Sequence, residues 1–228
     1  DSADASLWSF DNPTQGFSSI IGEDANFESG NGYLFYMYAR DENGVEILPT
    51  TMRMSGEEPD SVEIDLFRGD ADSVSYNFVG NPFAGAIDWH QIVSDGTEIG
   101  SSYATWNPDT SSANFGYVYY NSASEMGEAG RYIAPMQGFF VQSIGQESKI
   151  RFKQSQKAMN SVNLYGKKTN KDEIPYIGFR LKKANGKVLD AQAHLIFNDS
   201  AKIGKDKFDV LRLPSLHGVE NNISFTNS

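Results

Sequence analysis

Apolar and polar residues alternate in short runs along most of the chain, and turn-forming residues separate the runs. Ser61-Val62-Glu63-Ile64-Asp65-Leu66-Phe67 puts Val62, Ile64 and Leu66 on one face of an extended segment, as a half-buried strand requires. Lys149 to Lys153 repeats the pattern with Ile150 and Phe152. Gly32 to Tyr38 is rich in aromatic side chains. Asp41-Glu42-Asn43-Gly44 behind it carries the Asn-Gly pair of a tight hairpin turn, with Val45 to Leu48 as the returning strand. Val74 to Gly80, Gly116 to Tyr120, Arg131 to Ile133 and Gly138 to Ser143 predict further strands, and Asn81-Pro82 stops the first of them. A helical turn is expected only near Ala86 to Ile92 in this part of the chain.

After about residue 155 the pattern restarts. Tyr176 to Lys182 and Ala191 to Phe197 predict strands, with Ala184-Asn185-Gly186-Lys187 as a second hairpin turn, and Phe208 to Leu213 predicts one more. No long amphipathic helix separates the strands, so the expected fold is all-β, sandwich or jelly-roll in style. Two consecutive β domains are expected: an aromatic-rich acidic one over residues 1–160 and a smaller basic one over 161–228 that reads as truncated. The soft boundary lies at 155–172, in the polar run Lys167-Lys168-Thr169-Asn170-Lys171-Asp172. The polar tail from Gly218 to Ser228 and a strand at Phe208 to Leu213 without an evident partner predict a piece of a longer polypeptide.

Composition adds bounds. The 228 residues are 39% hydrophobic and 13% aromatic, enough for a packed core. No run approaches the length of a membrane-spanning helix. Cysteine is absent, which excludes disulfides, thiolate metal sites and a cysteine nucleophile. The net charge of −11 disfavours nucleic acid and anionic lipid as partners. The charge is divided along the chain: residues 1–148 hold 4 Arg, no Lys and 23 Asp/Glu (4 − 23 = −19), and residues 149–228 hold 15 Lys/Arg and 7 Asp/Glu (15 − 7 = +8). Two readings follow: a drift in composition between domains, or electrostatic docking of the two parts.

Signals for catalysis are absent. His90, His194 and His217 are far apart in sequence and belong to no metal-ligand pattern, and neither a nucleophile elbow nor a phosphate-binding loop occurs. Asp199, Asp206 and Asp209, with Asn198 around Gly204, form an oxygen-rich loop of a kind that holds calcium, or one that is simply solvated. Asp65, Asp70 and Asp72 form a second acidic loop. Tyr103, Trp106 and Tyr120 lie in an aromatic-dense stretch and are candidates for stacking on sugar rings, with core and cross-strand packing as the competing reading. Period two puts Tyr117 and Tyr119 on one face and Tyr120 on the other.

The segment Asn81-Pro82-Phe83-Ala84-Gly85-Ala86-Ile87-Asp88-Trp89 resembles a signature of large secreted Bacteroidetes proteins exported by the type IX secretion system. Gly30-Asn31-Gly32-Tyr33, Tyr103-Ala104-Thr105-Trp106-Asn107 and Tyr132-Ile133-Ala134-Pro135-Met136-Gln137-Gly138-Phe139-Phe140-Val141 resemble further segments of that family, in the same order. So does Asn198 to Leu213, although Lys202 stands for the family's Thr and Arg212 for its Lys. The resemblance covers roughly residues 27–213 and implies an extracellular β-rich region preceding a C-terminal sorting domain. Asp-Ser-Ala or Asp-Ser-Val triplets resemble that group's O-glycosylation acceptor, with Ser2, Ser61, Ser73 and Ser200 as sites. The residues also read as scaffold on physical grounds: Ile87 and Trp89 would pin a loop to the core, and Gln137-Gly138 lets the backbone approach closely.

Together these readings predict a non-catalytic extracellular or cell-surface module of a larger bacterial protein, with a structural, adhesive or domain-presenting role. Its partners would be neighbouring domains of the same polypeptide and surface glycans or polysaccharide, without nucleic acid or membrane insertion. It needs no cofactor, calcium aside. The alternative is a carbohydrate-binding module of a secreted polysaccharide-degrading enzyme.

Overall fold

The computed structural model describes residues 6–20, 27–37, 40–41, 43–46, 56–69, 75–108, 116–159, 162, 176–186, 188–196, 198–202, 204–210 and 213. The fold is all-β. Along the chain run β1 (Leu7–Asp11), β2 (Gly16–Ser19), β3 (Tyr33–Phe35), β4 (Ser61–Asp65), β5 (Ser75–Gly80) and β6 (Ala86–Asp88). The short helix α1 (Trp89–Asp95) follows, then β7 (Ile99–Asn107), β8 (Gly116–Asn121), β9 (Tyr132–Ile133), β10 (Gly138–Ser143) and β11 (Lys149–Lys153). A 3-10 turn at Gln154–Gln156 leads into β12 (Lys157–Ala158), and β13 (Tyr176–Lys182) and β14 (Val188–Ile196) complete the order.

A four-stranded antiparallel sheet, β5-β10-β7-β8, forms the centre. Its strands bury both faces, and the side-chain alternation divides the core in two. Val79, Tyr103, Val118, Tyr120, Phe139 and Val141 point to one side. There they meet Phe83 and Ile87 from β6 and its approach, Trp89 and Ile92 of α1, and Ile150 and Phe152 of β11. Tyr76, Phe78, Ala104, Tyr117, Tyr119 and Phe140 point to the other side and meet Phe10 and Phe17 of the β1–β2 hairpin. Phe78 and Phe140 stack with centroids 4.4 Å apart, and Phe10 meets Phe140 edge-on at 5.1 Å. A fully buried aliphatic or aromatic side chain contributes about 1.5–3 kcal/mol, so these two aromatic layers dominate the stability.

The first layer consists of β4 paired with β11, and of β12-β6-β9, with α1 beside them. In the β4–β11 pair Val62, Ile64, Ile150 and Phe152 turn inward. The charges turn outward: Arg151 lies opposite Glu63 and Lys149 opposite Asp65. Lys149 Nζ lies 2.7 Å from Asp65, Arg151 Nε 2.5 Å from Glu63, Lys153 Nζ 3.2 Å from Asp95 and Lys157 Nζ 2.7 Å from Glu58. The first basic residues of the lysine-containing part thus pair with acids 58–95, all within residues 1–160.

The second layer, β2-β1-β3, is held on the β5 edge by a side chain that imitates a strand. Gln15 has φ of 54° at the tip of the β1–β2 turn. Its amide donates to Tyr76 O at 2.9 Å and accepts from Tyr76 N at 2.9 Å. Further along β5, Gly32 N donates to Phe78 O and Gly80 N to Gly30 O. The approach is close enough that a Cβ on Gly80 would meet Asn31 O at 2.7 Å.

Several expectations change. Ala86 to Asp88 is a strand, and the helix starts at Trp89, because Asp88 caps it by accepting from His90 N at 3.0 Å. Phe208 to Val210 and Leu213 are not strand; Asp206 and Asp209 fold that stretch into turns. After Asp41, the described residues show only an isolated bridge, Arg40 to Glu46, and 47–50 lie outside the described residues. The boundary at 160/161 lies between β12 and β13, and residues 163–175 lie outside the described residues. The segment after β14 returns to the central sheet: Leu213 is buried with the Phe140 cluster and its N–H donates to Tyr119 Oη at 3.0 Å. Asn121 Nδ2 donates to Lys207 O at 3.0 Å.

Candidate functional site

Polar side chains converge where the loop after β5 meets the loop before β10. Asn81 is 2% exposed. Its Nδ2 donates to Gly85 O and to Ala134 O, both at 2.9 Å, and its Oδ1 accepts from Phe83 N at 3.0 Å. Gln137 answers from the other loop: its Oε1 accepts from Ala134 N at 3.0 Å and its Nε2 donates to Thr105 Oγ1 at 2.8 Å. Asn81 N donates to Gln137 O at 3.0 Å, which closes the junction. Met136, at φ 56°, makes the sharp turn that aims Gln137 inward.

Next to this junction lies an ionic pair. Arg131 Nε and Nη2 reach the two oxygens of Asp88 at 2.8 and 2.6 Å, a two-pronged contact. Burial pushes the Asp88 carboxyl up, but hydrogen bonds from Arg131 and His90 N outweigh it and hold the group below its usual range. Arg131 also lies 5.5 Å over the Tyr132 ring. His90 Nε2 lies 2.9 Å from Tyr120 Oη. Burial, and then the Glu125 charge, push the Tyr120 hydroxyl up to about 12. Trp89 Nε1 donates to Ser101 O and Tyr103 Oη to Gly130 O, at 2.8 and 2.7 Å. The polar groups of both motifs are therefore spent on one another and on backbone.

The three aromatic candidates do not form one platform. Tyr103 and Tyr120 are each 2% exposed and face the Trp89 core; their rings lie 6.2 Å apart. Trp106 is half-buried on the opposite side of the central sheet, edge-on to Tyr117 at 5.0 Å. Period two places Tyr117 and Tyr119 on one face and Tyr120 on the other, as expected from the sequence.

In the acidic loop, Asp206 accepts from Lys202 N at 2.7 Å and Phe208 N at 2.8 Å, which holds its carboxyl below the usual range. Asp209 accepts from Asp206 N at 2.7 Å. Asp199 is exposed in the neighbouring turn. Two of the three carboxylates thus bond the loop's own backbone, and among the described residues no group of three or more His, Asp or Glu is arranged to hold a metal. Of the acceptor serines, Ser61 begins β4 and Ser200 sits in the turn after Asn198; both are exposed. Ser2, Ser73, Asp70, Asp72 and His217 lie outside the described residues, and His194 is placed only as a residue of β14.

Buried amides were the residues that sequence reasoning missed. Asn77, Asn121 and Gln156, with the half-buried Gln15, each hold two chain segments together; Asn77, for example, accepts from Phe67 N and donates to Phe67 O. A faint signal exists: Asn77 lies inside an otherwise apolar strand, where a lone amide must find buried partners. Compared with protein-family models, curated proteins and solved structures, the chain matches none.

Proposed function

We propose that this chain is a non-catalytic extracellular module of a larger bacterial cell-surface protein, with a structural, adhesive or domain-presenting role. The observation that carries the reading is the use made of its most chemically capable side chains. Asn81, Asp88, Tyr103, Arg131 and Gln137 bond to one another or to backbone at the meeting of two loops, which is the behaviour of scaffold. The location rests on the ordered segments from Gly30 to Leu213 that resemble type IX secreted proteins. Ser61 and Ser200 are exposed, as acceptors for O-glycosylation must be.

The test has two arms. Antibody against the chain should label intact, unpermeabilised cells of the native host, and the isolated chain should release no sugar from a panel of polysaccharides. Labelling only after lysis would defeat the location, and turnover of any polysaccharide would defeat the non-catalytic role. Intact mass of the native chain reports on glycosylation; a mass equal to the unmodified chain removes that part of the proposal.

A further inference from the structure

The strand β4 pairs with β11 on one side. Leu66 N donates to Ser148 O, and Gln154 N donates to Asp60 O. Pairing alternates along an antiparallel strand, so the even residues of β4 turn their backbone groups toward β11. Ser61, Glu63 and Asp65 turn their N–H and C=O groups the other way. Among the described residues none bonds to those groups. β4 also lacks the devices that close an edge, since Ser61-Val62-Glu63-Ile64-Asp65 holds no Pro and no Lys and its register with β11 has no bulge.

Burial marks the same edge. Val62 and Ile64 face the core beside Ile150 and Phe152. Ile150 and Phe152 are 0% exposed, whereas Val62 and Ile64 are only half-buried. β11 has β4 on one flank and Thr97 with α1 on the other. β4 is paired on one flank alone. On its outer face the edge carries carboxylates: the Glu63 side chain is 47% exposed and that of Asp65 81%.

We propose that the open edge of β4 receives an extended segment of another polypeptide in which Lys or Arg alternates with apolar residues. Its main chain pairs with Ser61, Glu63 and Asp65, and its apolar side chains cover the open flanks of Val62 and Ile64. Its cations lie beside Glu63 and Asp65. β11 shows the fit, because Lys149-Ile150-Arg151-Phe152-Lys153 meets β4 in this way from the other side, with Arg151 opposite Glu63 and Lys149 opposite Asp65. A second copy fits worse. Two β4 edges paired antiparallel about Glu63 would set that carboxylate opposite itself, and like charges directly opposite destabilise a pair. The edge belongs to the fold and does not depend on where the protein resides.

The probe is a synthetic peptide with the sequence Ser148–Gln154, titrated into the 228-residue chain while backbone amide exchange is read by NMR. Without peptide, the amides of Ser61, Glu63 and Asp65 should exchange fast and those of Val62 and Ile64 slowly. With peptide, the three fast amides should become protected, and less so at high salt. The same peptide carrying Lys149→Glu, Arg151→Glu and Lys153→Glu should give no protection. In the chain, Asp65→Lys should weaken binding of the basic peptide and strengthen that of the acidic one. Glu63→Pro removes an outward N–H and no β4–β11 bond, so it should abolish binding of both. If Glu63→Pro unfolds the chain, the Asp65→Lys exchange of preference carries the test. No protection at any peptide concentration overturns the proposal, and so does equal protection by the acidic peptide. Protection of the three amides in the chain alone also overturns it: the edge is then covered already, by a second copy if the protection grows with protein concentration. Loss of protection at Ile150 and Phe152 on adding peptide overturns it too, since the peptide then replaces β11.

Discussion

At the scale of single residues, buried amides decide which segments meet. Asn81 holds Gly85 O, Ala134 O and Phe83 N with one side chain. Asn81→Ala leaves Ala134 O and Phe83 N buried, and Gly85 O partly buried, without that partner. An unsatisfied buried group costs about 1–3 kcal/mol, so the variant should lose roughly 2–4 kcal/mol in urea unfolding. Tyr76 gives the opposite expectation. Its hydroxyl is buried in the Phe140 cluster with no hydrogen-bond partner among the described residues, and burial pushes it well above the usual tyrosine range. Tyr76→Phe should leave stability unchanged or raise it by about 1 kcal/mol by the same measurement. None of this was legible from residue types. Sequence shows that Asn77 or Gln137 is polar; only the meeting of distant segments shows what each amide holds.

At the scale of elements, clean alternation was legible and weak alternation was not. β4 and β11 read correctly because Val62, Ile64, Ile150 and Phe152 alternate with charges that face water. β1, β2 and much of β7 escaped, since β7 mixes Gly100, Ser101, Ser102 and Ala104 into a strand packed on both faces. The charges that made β4 and β11 legible also set a pH dependence. Hydrogen bonds from Lys157, Ala84 N and Gln154 hold the Glu58 carboxyl down to about 2 from its ordinary 4.5. A depressed folded value means that the stabilisation is present above 4.5 and lost as pH falls toward 2. Glu63, Asp88 and Asp95 shift the same way. Thermal melts should therefore drop between these pH values, and Glu58→Gln should flatten part of the slope while lowering the melting temperature at pH 7. As the Glu58 pair is partly exposed and screened by solvent, the effect at neutral pH should be small.

At the scale of the molecule, the central sheet is the organiser and each of its faces has its own aromatic layer. The division of charge along the sequence was visible at once, but its use was not. Lys149 and Arg151 serve as cross-strand partners of Glu63 and Asp65, and Lys153 and Lys157 pair with Asp95 of α1 and with Glu58, so the composition changes ahead of the expected boundary at 160. The return of Leu213 to the Tyr119 cluster was likewise invisible, since it joins residues 94 apart. Leu213→Asp would put a charge into that aromatic layer and should cost about 2–4 kcal/mol, read as earlier unfolding in urea.

The anchoring of Leu213 has a mechanical meaning. Lys207 O is bonded to Asn121, and Leu213 N to Tyr119, both on β8. Tension applied on the C-terminal side of residue 213 would therefore pass directly into the central sheet. The β13–β14 hairpin lies on the loop of chain that these anchors bypass, and its tie to the strained sheet is the contact of β14 with β8.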